Sequence, residues 1–199
     1  MEAFAVIAPA PPLAPFVKHY WLLKTVGQSG AAVRTVPTGM MSLIFHRGTR
    51  LLSLQENQLQ PRAFLNGQER SFSDLSYQGQ VDMISVVFRP AGVRAFFRFP
   101  ATLAAGHRLA GADIGDNSLS ELESRISGFE DNRLAIRLIE EFLLSKLTPP
   151  SNHNLRRLEA SLRLIHSGEH DIDNLARAAG YTPRQFLATC PPHSDYFDY

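Results

Sequence analysis

The sequence predicts an α+β chain: a β-barrel over about residues 16–90, helices over about 92–147, and a short helical piece from about 151 onward. Three observations carry this. Up to Pro90 the apolar residues come in short runs cut by turn residues roughly every ten positions, the pattern of many short strands in a barrel or sandwich. After Pro90 the apolar period becomes helical. Pro149 and Pro150 then interrupt the chain as a semi-rigid linker does.

Taken in order, residues 9–15 are a proline-rich lead-in expected to run extended along a surface. Strands are expected at residues 16–26, 33–36, 41–46, 50–54, 62–66 and 81–88. Asn66-Gly67 is a hairpin-turn dipeptide, because both residues tolerate positive φ. Val93, Phe96 and Phe97 recur at helical spacing, so residues 92–99 read as a short helix ended by Pro100. Ser118 and Glu121 match a capping box that should open a helix to about Ser127. The clearest helix follows Asp131. Leu134, Leu138, Ile139, Phe142 and Leu143 share one face, with Arg133, Arg137, Glu140 and Glu141 off it. Residues 147–152 are the linker. Beyond it Leu155, Leu158, Leu162 and Ile165 form another helical stripe, closed by Gly168.

Composition narrows the function classes. The 199 residues are 44% hydrophobic and 20% charged, which excludes a disordered chain. Twenty Lys+Arg against 19 Asp+Glu leave a net charge of +1, so any nucleic-acid contact must be a local patch. The single cysteine, Cys190, allows no internal disulfide and fits a reducing compartment. No apolar run approaches the roughly 18 residues of a membrane helix. The apolar stretch at residues 1–7 lacks the positive region of a signal peptide, so a cytoplasmic protein without membrane contact is expected.

The informative segment lies late in the chain. Asp171 suits a helix N-cap, Ile172, Leu175, Ala176 and Ala179 make the buried stripe of a short helix, and Gly180 suits the left-handed position that closes it. Thr182, Pro183 and Gln185 then supply a capping threonine, a proline at the first helical position and a glutamine three residues after the cap. Two short helices joined by a tight glycine turn form a helix-turn-helix, whose second helix lays its N-terminal residues on base edges in the major groove. Thr182, Arg184 and Gln185 are the candidate DNA-contacting residues, since arginine pairs with guanine and glutamine with adenine. The near-neutral charge of the surrounding residues works against this reading, because phosphate contacts need Lys and Arg.

This segment resembles the first helix-turn-helix of the AraC/XylS family of bacterial transcription regulators, through Ile172, Leu175-Ala176, Gly180-Tyr181-Thr182 and Arg184-Gln185-Phe186. Upstream, Pro12-Leu13 through Tyr20-Trp21, Pro37-Thr38-Gly39, and Val87-Phe88-Arg89-Pro90 with Gly92 resemble the sensor half of one AraC-type subgroup. The resemblance implies a cupin-like β-barrel sensor domain at 1–148, a partial helix-turn-helix DNA-binding domain at 151–190, a small-molecule effector and a homodimer formed through the sensor half. Family members continue the second helix with a basic residue and an aromatic, where this sequence has Ala188 and Cys190. Pro191-Pro192 then stops the helix, and residues 191–199 resemble nothing in the family. The expectation is a regulator truncated within its first helix-turn-helix, with weak DNA binding.

Other constellations are plainer. His46 and Arg47 end a strand and are candidates for holding a polar or anionic effector, with Trp21 beside them; a rim charge pair and a core tryptophan are the alternatives. Tyr20, Phe45, Phe64 and Phe88 read as core. His166 and His170 are separated by Gly168, and the His-x-His plus Glu spacing of a metal cupin is absent, so no metal or other cofactor is expected. Glu140 and Glu141 are helix neighbours that point different ways, and no catalytic motif appears. The leading function is therefore a DNA-binding regulator. The alternatives are a stand-alone ligand-binding or dimerisation module without DNA binding and, third, a cupin-like enzyme.

Overall fold

The computed structural model describes residues 3–69, 71–90, 92–99, 101–104, 106–148, 160–165 and 167–189. They fall into two compact units, Met1–Leu147 and Thr148–Tyr199. Most of the expected linker, Leu155 and Leu158, His166, Cys190 and the segment 191–199 lie outside the described residues.

The first unit is an antiparallel sheet with helices, as the α+β reading expects. Its strands are β1 (Ala3–Ile7), β2 (Val17–Thr35), β3 (Ser42–His46), β4 (Leu52–Ser53), β5 (Gln58–Leu59), β6 (Ala63–Asn66), β7 (Ser73–Phe88) and β8 (Arg108–Ala110). The order across the sheet is β1-β2-β7-β3-β6-β8, and the β4–β5 hairpin pairs with the first half of β7. The expected strands at 16–26 and 33–36 are one strand. Gly27 stands opposite Gly79, and a register shift between Gly27 and Ala31 lets β2 continue as a bulge where a turn was expected.

Register assigns the faces. Tyr20 is opposite Val86, Leu22 opposite Ile84, Leu43 opposite Val86 and Phe45 opposite Ile84, so these six buried side chains share one face. Trp21, Leu23, Met83, Ser85, Ile44 and His46 alternate onto the other. There Ile44, Phe64, Val81 and Met83 pack with Leu51 and Leu75 into a second apolar cluster.

Helices α1 (Ala101–Ala104), α2 (Ser118–Ile126) and α3 (Asn132–Lys146) follow β7, with 3₁₀ turns at Gly92–Ala95 and Gly111–Ile114. Asp131 caps α3, its carboxylate accepting the Arg133 N–H. The buried residues of α3 are Ala135, Ile136, Ile139 and Leu143. Leu134 is exposed and Leu138 and Phe142 are half-buried, so the buried stripe is turned from the expected one. α3 is held to the Tyr20 face by polar ties: Glu140 Oε1 accepts from Tyr20 Oη (3.2 Å) and from the Ala10 N–H (2.8 Å).

Four further expectations need correction. Residues 9–15 are not extended: Leu13, Ala14, Phe16 and Val17 donate back to Ala10, Pro11 and Leu13, a compact turn that buries Leu13 and Phe16. Asn66-Gly67 is no hairpin. Gly67 runs beside α1 and β8, where a Cβ would meet the Ala104 carbonyl oxygen at 1.5 Å, so close approach selects the glycine. Residues 92–99 form a single 3₁₀ turn rather than a helix. α2 starts without the Ser118–Glu121 box. Asp116 instead accepts both the N–H and the hydroxyl of Ser118, and pairs with Lys146 of α3 at 2.7 Å.

The second unit holds α4 (helical residues 160–165), α5 (Ile172–Ala178) and α6 (Pro183–Thr189). Leu175, Ala176, Ala179 and Phe186 are its buried core, with Leu164, Ile165, Ile172 and Tyr181 against them. Ser161 Oγ donates to the Leu175 carbonyl and joins α4 to α5.

Ile139 is fully buried whereas Leu134 is 42% exposed. Ile139→Asp places an unpaired charge in the core and should cost on the order of 3–5 kcal/mol, while Leu134→Asp should cost less than about 1 kcal/mol. Trp21 is the single tryptophan and sits in this unit, so urea titrations followed by its fluorescence measure both variants. Equal midpoint shifts would contradict the α3 orientation.

Candidate functional site

Three places hold the chemistry-bearing side chains. The first is the α5–α6 turn. The Asp171 carboxylate accepts the Asn174 N–H and caps α5. Tyr181 N–H then donates to Ala176 and Gly180 N–H to Arg177, with Gly180 at φ 63°, so the helix closes through a left-handed glycine as expected. Thr182 and Gln185 form the expected capping box: Gln185 N–H donates to Thr182 Oγ1 (3.3 Å) and Thr182 N–H to Gln185 Oε1 (3.0 Å). Such a cap is worth about 1 kcal/mol. Thr182, Arg184 and Gln185 are all exposed. The box gives Gln185 a structural role, since a bidentate contact to adenine needs the Oε1 that Thr182 already holds.

The second place is the sheet face carrying Trp21 and His46. His46 is buried, stacks on Phe64 with centroids 5.9 Å apart, and shares a hydrogen bond of 3.0 Å between Nε2 and Gln60 Oε1. With Gln60 Oε1 accepting, Nε2 carries the proton, and His46 Nδ1 is a buried acceptor without a partner. Ser85 Oγ, on the same face, is likewise buried and unpartnered. Burial lowers the His46 pKa to about 4, outweighing the Gln60 hydrogen bond, with Arg50 and Arg62 adding to the depression. The ring is therefore neutral near pH 7 and supplies no charge to an anion. Trp21 is half-buried against the Met83 cluster, 6.2 Å from the exposed Phe4 ring. Tyr20, Phe45, Phe64 and Phe88 are core, as the sequence reading expects.

Arg47 is placed apart from His46. Its Nε and Nη2 donate to Asp82 Oδ1 (2.9 and 2.6 Å), Nη2 also reaches Asn132 Oδ1 (2.6 Å), and Nη1 donates to the Phe129 carbonyl (3.1 Å). All three guanidinium nitrogens are thus engaged by the protein itself, and the side chain ties β3 and β7 to the start of α3. Glu140 and Glu141 also separate: Glu140 holds Tyr20 and Ala10, and Glu141 faces Arg137 across the helix surface at 4.0 Å. Burial, and then Glu140, raise the pKa of Tyr20.

The third place was not found from the sequence. A cavity of about 200 Å³ lies at the end of the Phe64 face, lined by residues including Asn66, Arg108, Glu56, Glu69, Ser73 and Phe72. Arg108 stands opposite Asn66 in the β6–β8 ladder. Its signal was the alternation of His107-Arg108-Leu109-Ala110, too short to read as a strand. Among the described residues, no three His, Cys, Asp or Glu side chains gather as a metal site. No helix among them is long and apolar enough to cross a membrane.

Residues 5–110 match the family described as Domain of unknown function (DUF6597), more than half of the chain. The chain belongs to the DUF6597 family. No curated protein matches it. Among solved structures, the AraC-like transcriptional activator CuxR is 12% identical with a TM-score of 0.35, covering 94% of this chain and 81% of its own. ToxT from Vibrio cholerae O395 is 10% identical with a TM-score of 0.29, covering 88% and 92%. A ToxT structure with (E)-4-(8-methylnaphthalen-1-yl)but-3-enoic acid bound is 10% identical, also at 0.29, covering 98% and 95%. The DUF6597 match runs from within β1 to the last residue of β8, so it contains His46, Ser85 and the Arg108 cavity, while α5 and α6 lie beyond it.

In this DUF6597 chain His46 makes stability depend on pH. Its pKa is lower folded than the ordinary 6.5, so below pH 6.5 the unfolded state binds the proton more readily and stability falls as pH drops toward about 4. Between about pH 7 and pH 4.5 the parent should lose about 2–3 kcal/mol more than His46→Gln. Urea titrations of both proteins at the two pH values, read by Trp21 fluorescence, measure it. Parallel losses would mean that His46 is not the titrating group.

Proposed function

We propose that this DUF6597 chain is a transcription regulator of AraC type, in which the first unit senses a small effector and α5–α6 is a helix-turn-helix that meets DNA through α6. The observation that carries this reading is the way Arg184 is presented. It stands exposed in the first turn of a helix whose angle is set by buried Phe186 against Leu175, Ala176 and Ala179. Its neighbours Thr182 and Gln185 lock that turn through the capping box. A side chain that reads base edges needs such a rigid platform. The AraC/XylS resemblance of residues 171–187 agrees with it. In the first unit, the packing of Leu51 and Leu75 against Ile44 and Phe64 supports a sheet curled as a cupin-like barrel, with an effector on its inner side.

One observation favours the second reading, a ligand-binding module without DNA binding. In the described part of the second unit Arg163, Arg177 and Arg184 are matched by Glu169, Asp171 and Asp173. Affinity for DNA rests on phosphate contacts from surplus cations. The expected outcome is binding near the non-specific range of roughly 10⁻⁴–10⁻⁶ M at about 0.15 M salt, strengthening steeply as salt is lowered. Titration against a genomic DNA library, with Arg184→Ala alongside, tests it. Loss of the low-salt binding in Arg184→Ala supports the role of α6. No binding by the parent at low salt overturns the DNA-binding reading.

The first unit is also proposed to form a homodimer, the commonest oligomer, with the exposed side of α3 as a candidate surface through Leu134 and Leu144. Sedimentation at several protein concentrations should show a mass that rises to twice the monomer. A strict monomer throughout refutes it.

A further inference from the structure

We propose that the outer side of β4, β5 and the first half of β7 is where two copies of this chain meet, across a two-fold axis beside Arg34 and Asp74. The claim rests on the homodimer reading above and moves its contact from α3 to the sheet.

Register places the residues. Leu75 and Val81 belong to the inner cluster with Ile44 and Phe64. Side chains alternate, so Asp74 and Ser76 point outward. Leu52 is opposite Ser76, Leu59 is opposite Leu52, and Arg34 is opposite Asp74. The Leu54 N–H donates to the Asp74 carbonyl, which carries the β4 pairing one residue further. The Phe72 ring lies against the Arg34 guanidinium, with Cζ 3.9 Å from its centroid. Leu52, Leu54, Leu59 and Phe72 thus flank the Arg34–Asp74 pair on one surface. Leu59 is 50% exposed, Leu54 48% and Phe72 47%. With half-buried Leu52 they present roughly 300 Å² of apolar surface, a size that on a monomer is often functional.

Charge and area choose the occupant. The patch carries one cation and one carboxylate side by side, Arg34 Nε and Nη2 donating to Asp74 Oδ1 and Oδ2 at 2.7 and 2.9 Å. DNA or an anionic headgroup would meet a charge already neutralised. A second copy turned through 180° meets its own complement, Arg34 against the partner's Asp74 in both directions. Stable interfaces take at least about 600 Å² from each side, a little over half of it apolar. A centre of roughly 300 Å², rimmed by Arg34, Asp74, Gln55 and Ser76, therefore suits one small two-fold contact. Aromatic residues and arginine are the types enriched at such centres. Arg34 is already held by Asp74 and Phe72, so it loses little freedom on contact. α3 offers less. Leu134 and Leu144 lie about 15 Å apart along its axis, with exposed Arg137 and Glu141 between them.

Sedimentation of the full chain at several concentrations tests the proposal. Leu54→Glu should weaken the dimer by at least about tenfold, the effect of a charge set into an apolar centre, whereas Leu134→Glu should leave it unchanged. Arg34→Asp and Asp74→Arg each put like charges at the axis, and each should be monomeric alone. Mixed in equal amounts they should form a dimer holding one of each, because every charge then meets its opposite across the axis. A role confined to the single chain predicts no such rescue. Urea titrations read by Trp21 fluorescence show that each variant is folded, and if a charge variant is not, Leu54→Glu against Leu134→Glu decides. A parent that stays monomeric overturns this proposal and the homodimer reading together. A dimer lost in Leu134→Glu and kept in Leu54→Glu overturns this proposal alone, as does a mixture of the two charge variants that stays monomeric.

Discussion

β2 and β7 pair along most of their length, and the alignment of that one ladder decides where every other group in the first unit points. Side chains alternate across a sheet, so a one-residue slip of β2 along β7 would turn Tyr20 and Leu22 away from the helices and bring Trp21 and Leu23 round to them. The register is marked by charge as well as by apolar pattern. Lys24 stands opposite Asp82, and Arg34 stands opposite Asp74 with a bidentate contact. Cross-strand pairs of this kind are too weak in water to hold the sheet but enough to prefer one alignment among near-equals. β3 repeats the preference by setting Leu43 and Phe45 against Val86 and Ile84.

That alignment also determines which charges are spent on structure. Asp82 lies on the helix-bearing face and collects Arg47, so an arginine that looks in the sequence like a binding group becomes a buried tie to α3. Removing Asp82 would leave the Arg47 guanidinium with only the neutral oxygens of Asn132 and Phe129, a loss of about 3–5 kcal/mol. His46, one residue earlier, alternates to the opposite face, is desolvated, and loses its charge. Adjacent residues of opposite fate follow directly from the two-residue period. Arg108 lies on the same face of the sheet, on β8, but no carboxylate stands opposite it in the ladder; its partner there is Asn66. Its charge is met from the side, by the exposed Glu56 of a turn.

Local signals were legible where the physics is local. Asp131, Asp171, Gly180 and the Thr182–Gln185 pair each specify a helix end through bonds within a few residues, and each is found in place. The strands with strong apolar runs, β3, β6 and the second half of β7, were legible for the same reason. Signals that depend on distant partners were not. Gly67 looked like a turn because its real constraint, the carbonyl of Ala104, is invisible along the chain. β1 and β8 are short and gain their pairing from β2 and β6. The rotation of the α3 stripe toward Ala135 and Ile136 depends on which helix face the sheet and α2 leave room for, and a stripe rich in leucine on both sides does not reveal it. The candidate residues divide the same way: the exposed place of Arg184 at a helix start was legible, whereas Arg108 was not, because its unfilled bond is visible only in the fold.

The two units therefore rest on different terms. The first has a large apolar core and tolerates unpaired polar atoms inside it, at His46 and Ser85, because burial elsewhere offsets them. Among the described residues of the second, four apolar side chains are buried, two of them alanines, and that cluster by itself supplies little stability. Its shape depends on backbone closures instead: the Asp171 cap, the Gly180 reversal, the Thr182–Gln185 box and the Ser161 tie, each worth about 1 kcal/mol. Small alanines at 176 and 179 let α6 lie close enough for Phe186 to close the core, and that contact, with the Gly180 reversal and the Thr182–Gln185 box, sets the angle at which Arg184 leaves the surface. Whatever α6 touches, its aim is decided by these local contacts and not by the charged residues around it.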